Sequence, residues 1–163
     1  MPKLLSQAQI DAYHRDGYVF PIDVLSAAEA AGYRASLEAH EAKTGKPLQS
    51  NWRHKTHLLF TWADRLVHHP KILDAVEDVI GPNILAWSSG FFIKGSDDPS
   101  YVSWHQDSTY WGLSSPDVVT AWVAFTPATT ANGAMEMIPG THVGEQIPHR
   151  DTFASDNLLT RGQ

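Results

Sequence analysis

The sequence predicts an α+β fold, with helices first and extended segments afterwards. Two observations carry that reading. Residues 1–82 hold serine capping boxes followed by helix-spaced apolar residues: Ser6 stands three before Gln9, and Ser26 three before Glu29. From residue 84 onward the apolar residues come in short continuous runs bounded by Gly, Pro, Asn and Asp, which is the pattern of strands.

The elements follow in order. A first helix starts after Ser6, carries Ile10 and Tyr13 on one stripe, and ends at Gly17. Tyr18-Val19-Phe20 reads as a short strand stopped by Pro21. A second helix starts after Ser26 and runs through Tyr33, Leu37 and His40 towards Gly45. Residues 58–67 and 71–80 give two more helices, separated by Pro70 and closed by Gly81-Pro82. Strands are then expected at residues 84–87, 91–93, 118–125 and 134–138, the last after an Asn132-Gly133 hairpin turn. Residues 95–100 form a polar loop, and residues 143–163 lose their period and read as loop. The whole makes one domain of 163 residues.

His105-Gln106-Asp107 is the motif with chemistry in it. On a strand, residues two apart project to one face, so this imidazole and this carboxylate stand side by side. Such a pair is two-thirds of the 2-His-1-carboxylate triad that holds non-haem Fe(II) with open positions for other ligands. Taken alone, a His and an Asp two apart form a short motif of low specificity, and a plain hydrogen-bonded pair is the common case. Gln106 alternates away from the two, outward or against the residues behind them.

The context adds to the motif. Phe91-Phe92-Ile93-Lys94 precedes it, Thr120-Ala121-Trp122-Val123-Ala124 follows it, and Asn132-Gly133 and Ile138-Pro139-Gly140-Thr141-His142 come later in the same order. Over residues 84–142 this series resembles the phytanoyl-CoA dioxygenase family of Fe(II)- and 2-oxoglutarate-dependent oxygenases. The resemblance implies a double-stranded β-helix, or jelly roll, buttressed by the N-terminal helices. A jelly roll uses about eight strands, and the runs named above are fewer, so the barrel is expected to be partial. It also implies Fe(II), 2-oxoglutarate and O2 as cofactor and cosubstrates, with His105 and Asp107 as metal ligands. In halogenating relatives a small residue replaces the carboxylate, so Asp107 implies hydroxylation or another oxygenation. Family members further carry a second metal-binding His and a 2-oxoglutarate-gripping Arg beyond the Pro-Gly-Thr-His stretch. This chain stops at Arg161-Gly162-Gln163 without such a segment, and is expected to be the first part of a longer enzyme.

Other residues have two readings each. Trp122 shares a strand face with Thr120 and Ala124; it packs a core, lies beside the cosubstrate as the resemblance implies, or does both. Lys94 ends an apolar strand, where an unpaired ammonium is costly to bury. It is either solvated or set against a carboxylate of 2-oxoglutarate or substrate. Tyr110 and Trp111 form a substrate-pocket wall that excludes water, or simply a packed loop. For a third metal ligand the chain offers His54, His57, His142 and His149. The resemblance makes His142 structural, and His149 is expected to be solvated.

Composition limits the alternatives. A net charge of −6 and a pI near 5.8 give no electrostatic footprint for nucleic acid or an anionic membrane. The absence of cysteine removes disulfides and thiolate sites. The start lacks a signal-peptide pattern, and a cytoplasmic protein acting on a small molecule is the default expectation. Two rival functions stay open. One is a catalytically inert or truncated jelly-roll domain for binding or assembly, which would self-associate through its uncovered sheet. The other is a cupin-like hydrolase or isomerase using Zn or Mn.

Overall fold

In the computed structural model, which describes residues 1–48, 52–115, 117–159 and 161–162, the first half is helical. Helix α1 spans Gln7–Asp16 and α2 spans Ala27–Thr44. Both begin at the expected boxes. The Gln9 N–H donates to Ser6 Oγ at 3.3 Å, and the Ser6 N–H donates to Gln9 Oε1 at 2.9 Å. Ser26 and Glu29 repeat this at 3.2 and 2.7 Å. Gly17 closes α1 with φ +87°, a conformation that only glycine adopts cheaply.

The next pair of helices differs in detail from expectation. Residues 56–58 form a 3₁₀ turn, and helix α3 begins only at Thr61, spanning Thr61–Val67. Lys55 sits at φ +50°, and the buried Thr56 turns its hydroxyl to Ser89 Oγ, 3.0 Å away. Both geometries divert the chain from an earlier helix start. Helix α4 spans Pro70–Ile80, so Pro70 opens the helix instead of separating two. At the first helical position its missing N–H costs nothing.

Residues 18–20 do not form the expected strand. They have no ladder partner among the described residues, and the Tyr18 and Phe20 rings lie 5.8 Å apart instead. The N-terminal arm is tied to α4 by Asp78, whose carboxylate accepts from the backbone N–H groups of Lys3, Leu4 and Leu5 at 2.7–2.9 Å. These bonds outweigh the opposing effect of burial and hold the Asp78 carboxyl below its ordinary pKa.

Among the described residues, the buried apolar ones are Leu5, Ile10, Leu48, Ala63 and Ile72, all in the first half. A chain of rings joins that half to the second. Tyr33 on α2 stacks on Phe125 at 5.8 Å, Phe125 meets Phe91 at 6.3 Å, and Phe91 meets Trp62 on α3 at 5.4 Å. Trp62 contacts Phe60 at 5.5 Å, and Phe60 meets His40 at 4.8 Å, back on α2.

The second half departs furthest from expectation. The apolar runs at 84–87, 91–93, 118–125 and 134–138 are extended or irregular, and none is a strand. A strand exists only where a neighbour accepts and donates its backbone hydrogen bonds, and these runs are not paired with one another. Among the described residues, the pairing lies elsewhere. Isolated bridges join His54 to Gly90 and Tyr101 to Asn157. A two-residue antiparallel ladder joins β1 (Arg150–Asp151) to β2 (Arg161–Gly162). The expected hairpin at Asn132-Gly133 is a 3₁₀ turn, Thr130–Asn132, capped by Gly133 at φ +78°. Large apolar side chains stay exposed, among them Leu85 at 86% and Phe92 at 75%. Among the described residues, no helix is long and apolar enough to cross a membrane.

Candidate metal centre

The His105-Gln106-Asp107 motif lies on a turn, not on a strand. Asp107 is the N-terminal flank of a single-turn helix α5, Ser108–Trp111, in αR conformation at φ −55°. The turn still brings the two side chains together. His105 Nε2 lies 3.0 Å from Asp107 Oδ1, and His105 Nδ1 lies 2.8 Å from the Ser103 carbonyl oxygen. The Ser103 carbonyl and the Asp107 carboxylate both accept, so this arrangement favours a proton on each ring nitrogen. The hydrogen bond to Asp107 raises the His105 pKa above its ordinary value, against partial burial, which pushes it down. The same bond holds Asp107 below the usual carboxylate range, and the Thr120 hydroxyl, donating to Oδ2 at 3.3 Å, adds to that.

These donors suit a divalent ion. The Ser103 carbonyl fixes the Nδ1 proton, as the hydrogen-bonded partner of a metal-ligating histidine commonly does. An ion would take the place of the Nε2 proton between imidazole and carboxylate. His105 Nε2 and Asp107 Oδ1 are the atoms that would hold it, an imidazole nitrogen and a carboxylate oxygen both being donors that Fe(II) accepts. Tyr110 stands edge-on to the His105 ring at 5.8 Å, covering one side.

Among the described residues, no group of three His, Cys, Asp or Glu side chains is placed to hold a metal. Three of the four histidines open for a third ligand, His57, His142 and His149, have a ring nitrogen engaged elsewhere. His57 Nδ1 lies 2.6 Å from Ser89 Oγ. His54 belongs to the bridge with Gly90. His142 donates from Nε2 to the His14 carbonyl at the end of α1, 3.0 Å away. His149 is half-buried where solvation was expected. Its Nε2 accepts the Gln106 N–H at 2.8 Å, and its Nδ1 donates to the Ile147 carbonyl at 2.6 Å.

The other candidates spread out. Trp111 packs on Trp87 at 6.5 Å. Trp122 is 43% exposed. Exposed Lys94 lies over the Gly133 turn, its Nζ 3.0 Å from where a Cβ on that glycine would sit. Sequence reasoning missed Thr120 as the Asp107 partner, although its alternation with Trp122 placed both on one face. It also missed the contacts made by His149, which no local pattern announces.

A family model described as phytanoyl-CoA dioxygenase (PhyH) matches residues 13–161. The chain belongs to the phytanoyl-CoA dioxygenase family. Among similar members, a probable alpha-ketoglutarate-dependent hypophosphite dioxygenase of Stutzerimonas stutzeri is 33% identical over 58% of this chain and 33% of its own length. An ectoine dioxygenase of Bordetella parapertussis is 26% identical over 85% of this chain and 50% of its own. The solved apo structure of the non-heme monooxygenase ThoJ superposes with a TM-score of 0.71 at 36% identity, covering 86% of this chain and 56% of that one. A structure of ThoJ with nickel gives 0.55 at 37% identity, over 63% and 43%. The chain thus spans half or less of the length of these two curated relatives.

Proposed function

We propose that this protein is an Fe(II)- and 2-oxoglutarate-dependent dioxygenase that hydroxylates a small organic substrate. The single observation that carries this reading is the His105–Asp107 pair, 3.0 Å apart with its outer nitrogen already committed to Ser103. Names among the family relatives, from ectoine dioxygenase to L-proline trans-4-hydroxylase, support the reaction class and a small substrate. When bound, the iron with 2-oxoglutarate and O2 supplies oxidative decarboxylation to succinate and oxygenation of a C–H bond.

The chain's own residues do the rest. His105 and Asp107 hold the ion, and Ser103 and Thr120 orient them. Asp107, a carboxylate and not a small residue, would be a ligand to the ion, which favours oxygenation over halogenation. Tyr110 and Trp111 wall the pocket and exclude water. Trp122, which alternates with Thr120, would stand beside the cosubstrate, and Lys94 would reach a carboxylate of the cosubstrate or the substrate. On this reading, residues 84–142 supply strands of a double-stranded β-helix once their backbone partners are in place.

The test is metal affinity together with 2-oxoglutarate decarboxylation in the wild type, His105→Ala and Asp107→Ala. Both variants are expected to lose 2-oxoglutarate decarboxylation. Wild-type turnover in both would remove the pair from the reaction. Asp107→Gly with chloride present is expected to lose hydroxylation while retaining iron.

A second reading is an inert jelly-roll domain for binding or assembly. It is favoured by the lack of a third ligand among the described residues. Metal content and succinate release separate the two, and a preference for Zn or Mn without succinate would point to a cupin-like enzyme of other chemistry.

A further inference from the structure

Gln106, between the two proposed ligands, has all four of its polar groups engaged. Its N–H donates to His149 Nε2 at 2.8 Å, and its carbonyl accepts the Thr109 N–H at 3.1 Å. Its side-chain Oε1 accepts the Ile147 N–H at 2.8 Å, and its Nε2 donates to the Thr141 carbonyl at 2.8 Å. Three of these bonds reach one segment, residues 141–149.

The fit with His149 is chemically consistent. The Ile147 carbonyl takes the Nδ1 proton, so the neutral ring presents a lone pair at Nε2, as the Gln106 N–H requires. The Thr109 hydroxyl lies against the same ring at 3.2–3.3 Å, and Gln146 Nε2 donates to that hydroxyl.

A β-ladder ordinarily fixes which way alternate side chains point. Residues 103–107 are in no ladder. Something else must hold the backbone between His105 and Asp107. Fixing the N–H and C=O directions of the middle residue fixes its φ and ψ, and these set the angle between its two neighbours.

We infer that Gln106 is a positioning residue, which sets the His105–Asp107 geometry by fastening the motif to segment 141–149 from behind. The inference rests on the metal reading above, but it has an independent readout. Partners behind a ligand typically change metal affinity or activity by about 10- to 100-fold when removed.

The experiment titrates Ni²⁺ into the protein in four forms: wild type, Gln106→Met, Gln106→Glu and Asp78→Asn. It also follows amide hydrogen exchange at residues 105–111 and 141–147 without metal. Gln106→Met keeps the volume and loses both side-chain bonds; affinity should fall about 10- to 100-fold and exchange should rise in both segments. Gln106→Glu keeps an acceptor for Ile147 but sets an oxygen against the Thr141 carbonyl, and should fall between. Asp78→Asn is a destabilised control remote from the site and should bind as wild type does.

Wild-type affinity in Gln106→Met overturns the positioning role, as does an equal loss in Asp78→Asn. A wild type that binds no Ni²⁺ overturns the metal reading instead. In that case unchanged exchange at 105–108 in Gln106→Met overturns the fastening as well, and raised exchange upholds it.

Discussion

Gly17→Ala tests how the Pro-Gly-Thr-His turn is locked to the helical half. Gly17 lies at φ +87°, and a Cβ there would stand 2.5 Å from His142 Nδ1 and 2.8 Å from its Cγ. Two costs follow. Placing an alanine in the left-handed region costs about 1 kcal/mol. The clash drives the imidazole out, and its hydrogen bond to the His14 carbonyl, worth about 1 kcal/mol net, goes with it. With some repacking strain, Gly17→Ala should cost about 2–3 kcal/mol.

Gly45→Ala is the control. It has φ +68° but open space around the added carbon, so only the first cost applies, about 1 kcal/mol. In a His142→Ala background the ring is gone and only the tight contact with Cβ at 3.2 Å remains, so Gly17→Ala should cost little more than about 1 kcal/mol. Urea unfolding followed by tryptophan fluorescence measures all four variants. If Gly17→Ala matches Gly45→Ala in the wild-type background and adds independently to His142→Ala, the lock described here does not exist.

Further outcomes concern other parts of the molecule. Asp78→Ala removes the acceptor of three backbone N–H groups and should cost about 1–2 kcal/mol near neutral pH, below the full value for charged bonds because the site is exposed. Because the folded Asp78 pKa is lowered, its contribution is present above the ordinary aspartate value and is lost as pH falls through the folded one. Urea midpoints across that acid range should therefore fall less steeply in the variant, and parallel curves would count against the Asp78 tie. The exposed apolar side chains of the second half, Leu85, Phe92, Met135 and Trp122 among them, predict that the 163-residue chain self-associates. Size-exclusion chromatography showing a concentration-independent monomer would refute this.

The helical half was legible in the sequence because its signals are local. A serine with a Gln or Glu three positions further on is enough to start a helix, and a glycine that tolerates positive φ is enough to end it. The exceptions, Thr56 and Pro70, show where local signals stop. A side-chain bond to Ser89, more than thirty residues away, set the start of α3. The strands were not legible in the same way. An apolar run records that a segment is buried or paired, not with what, and a ladder belongs to two segments at once.

The candidate site divides along the same line. The residue types and spacing of His105 and Asp107 singled out the pair proposed as metal ligands, since imidazole and carboxylate two residues apart converge either on a strand or, as here, on a turn. The tertiary structure alone decided the remainder. It placed the Ser103 carbonyl behind one imidazole nitrogen and the Thr120 hydroxyl on the carboxylate, and it tied up His142 at the end of α1 and His149 behind Gln106. Those contacts span up to 128 positions of sequence. A hydrogen bond depends on distance and direction in space, and neither is written into the order of residues along the chain.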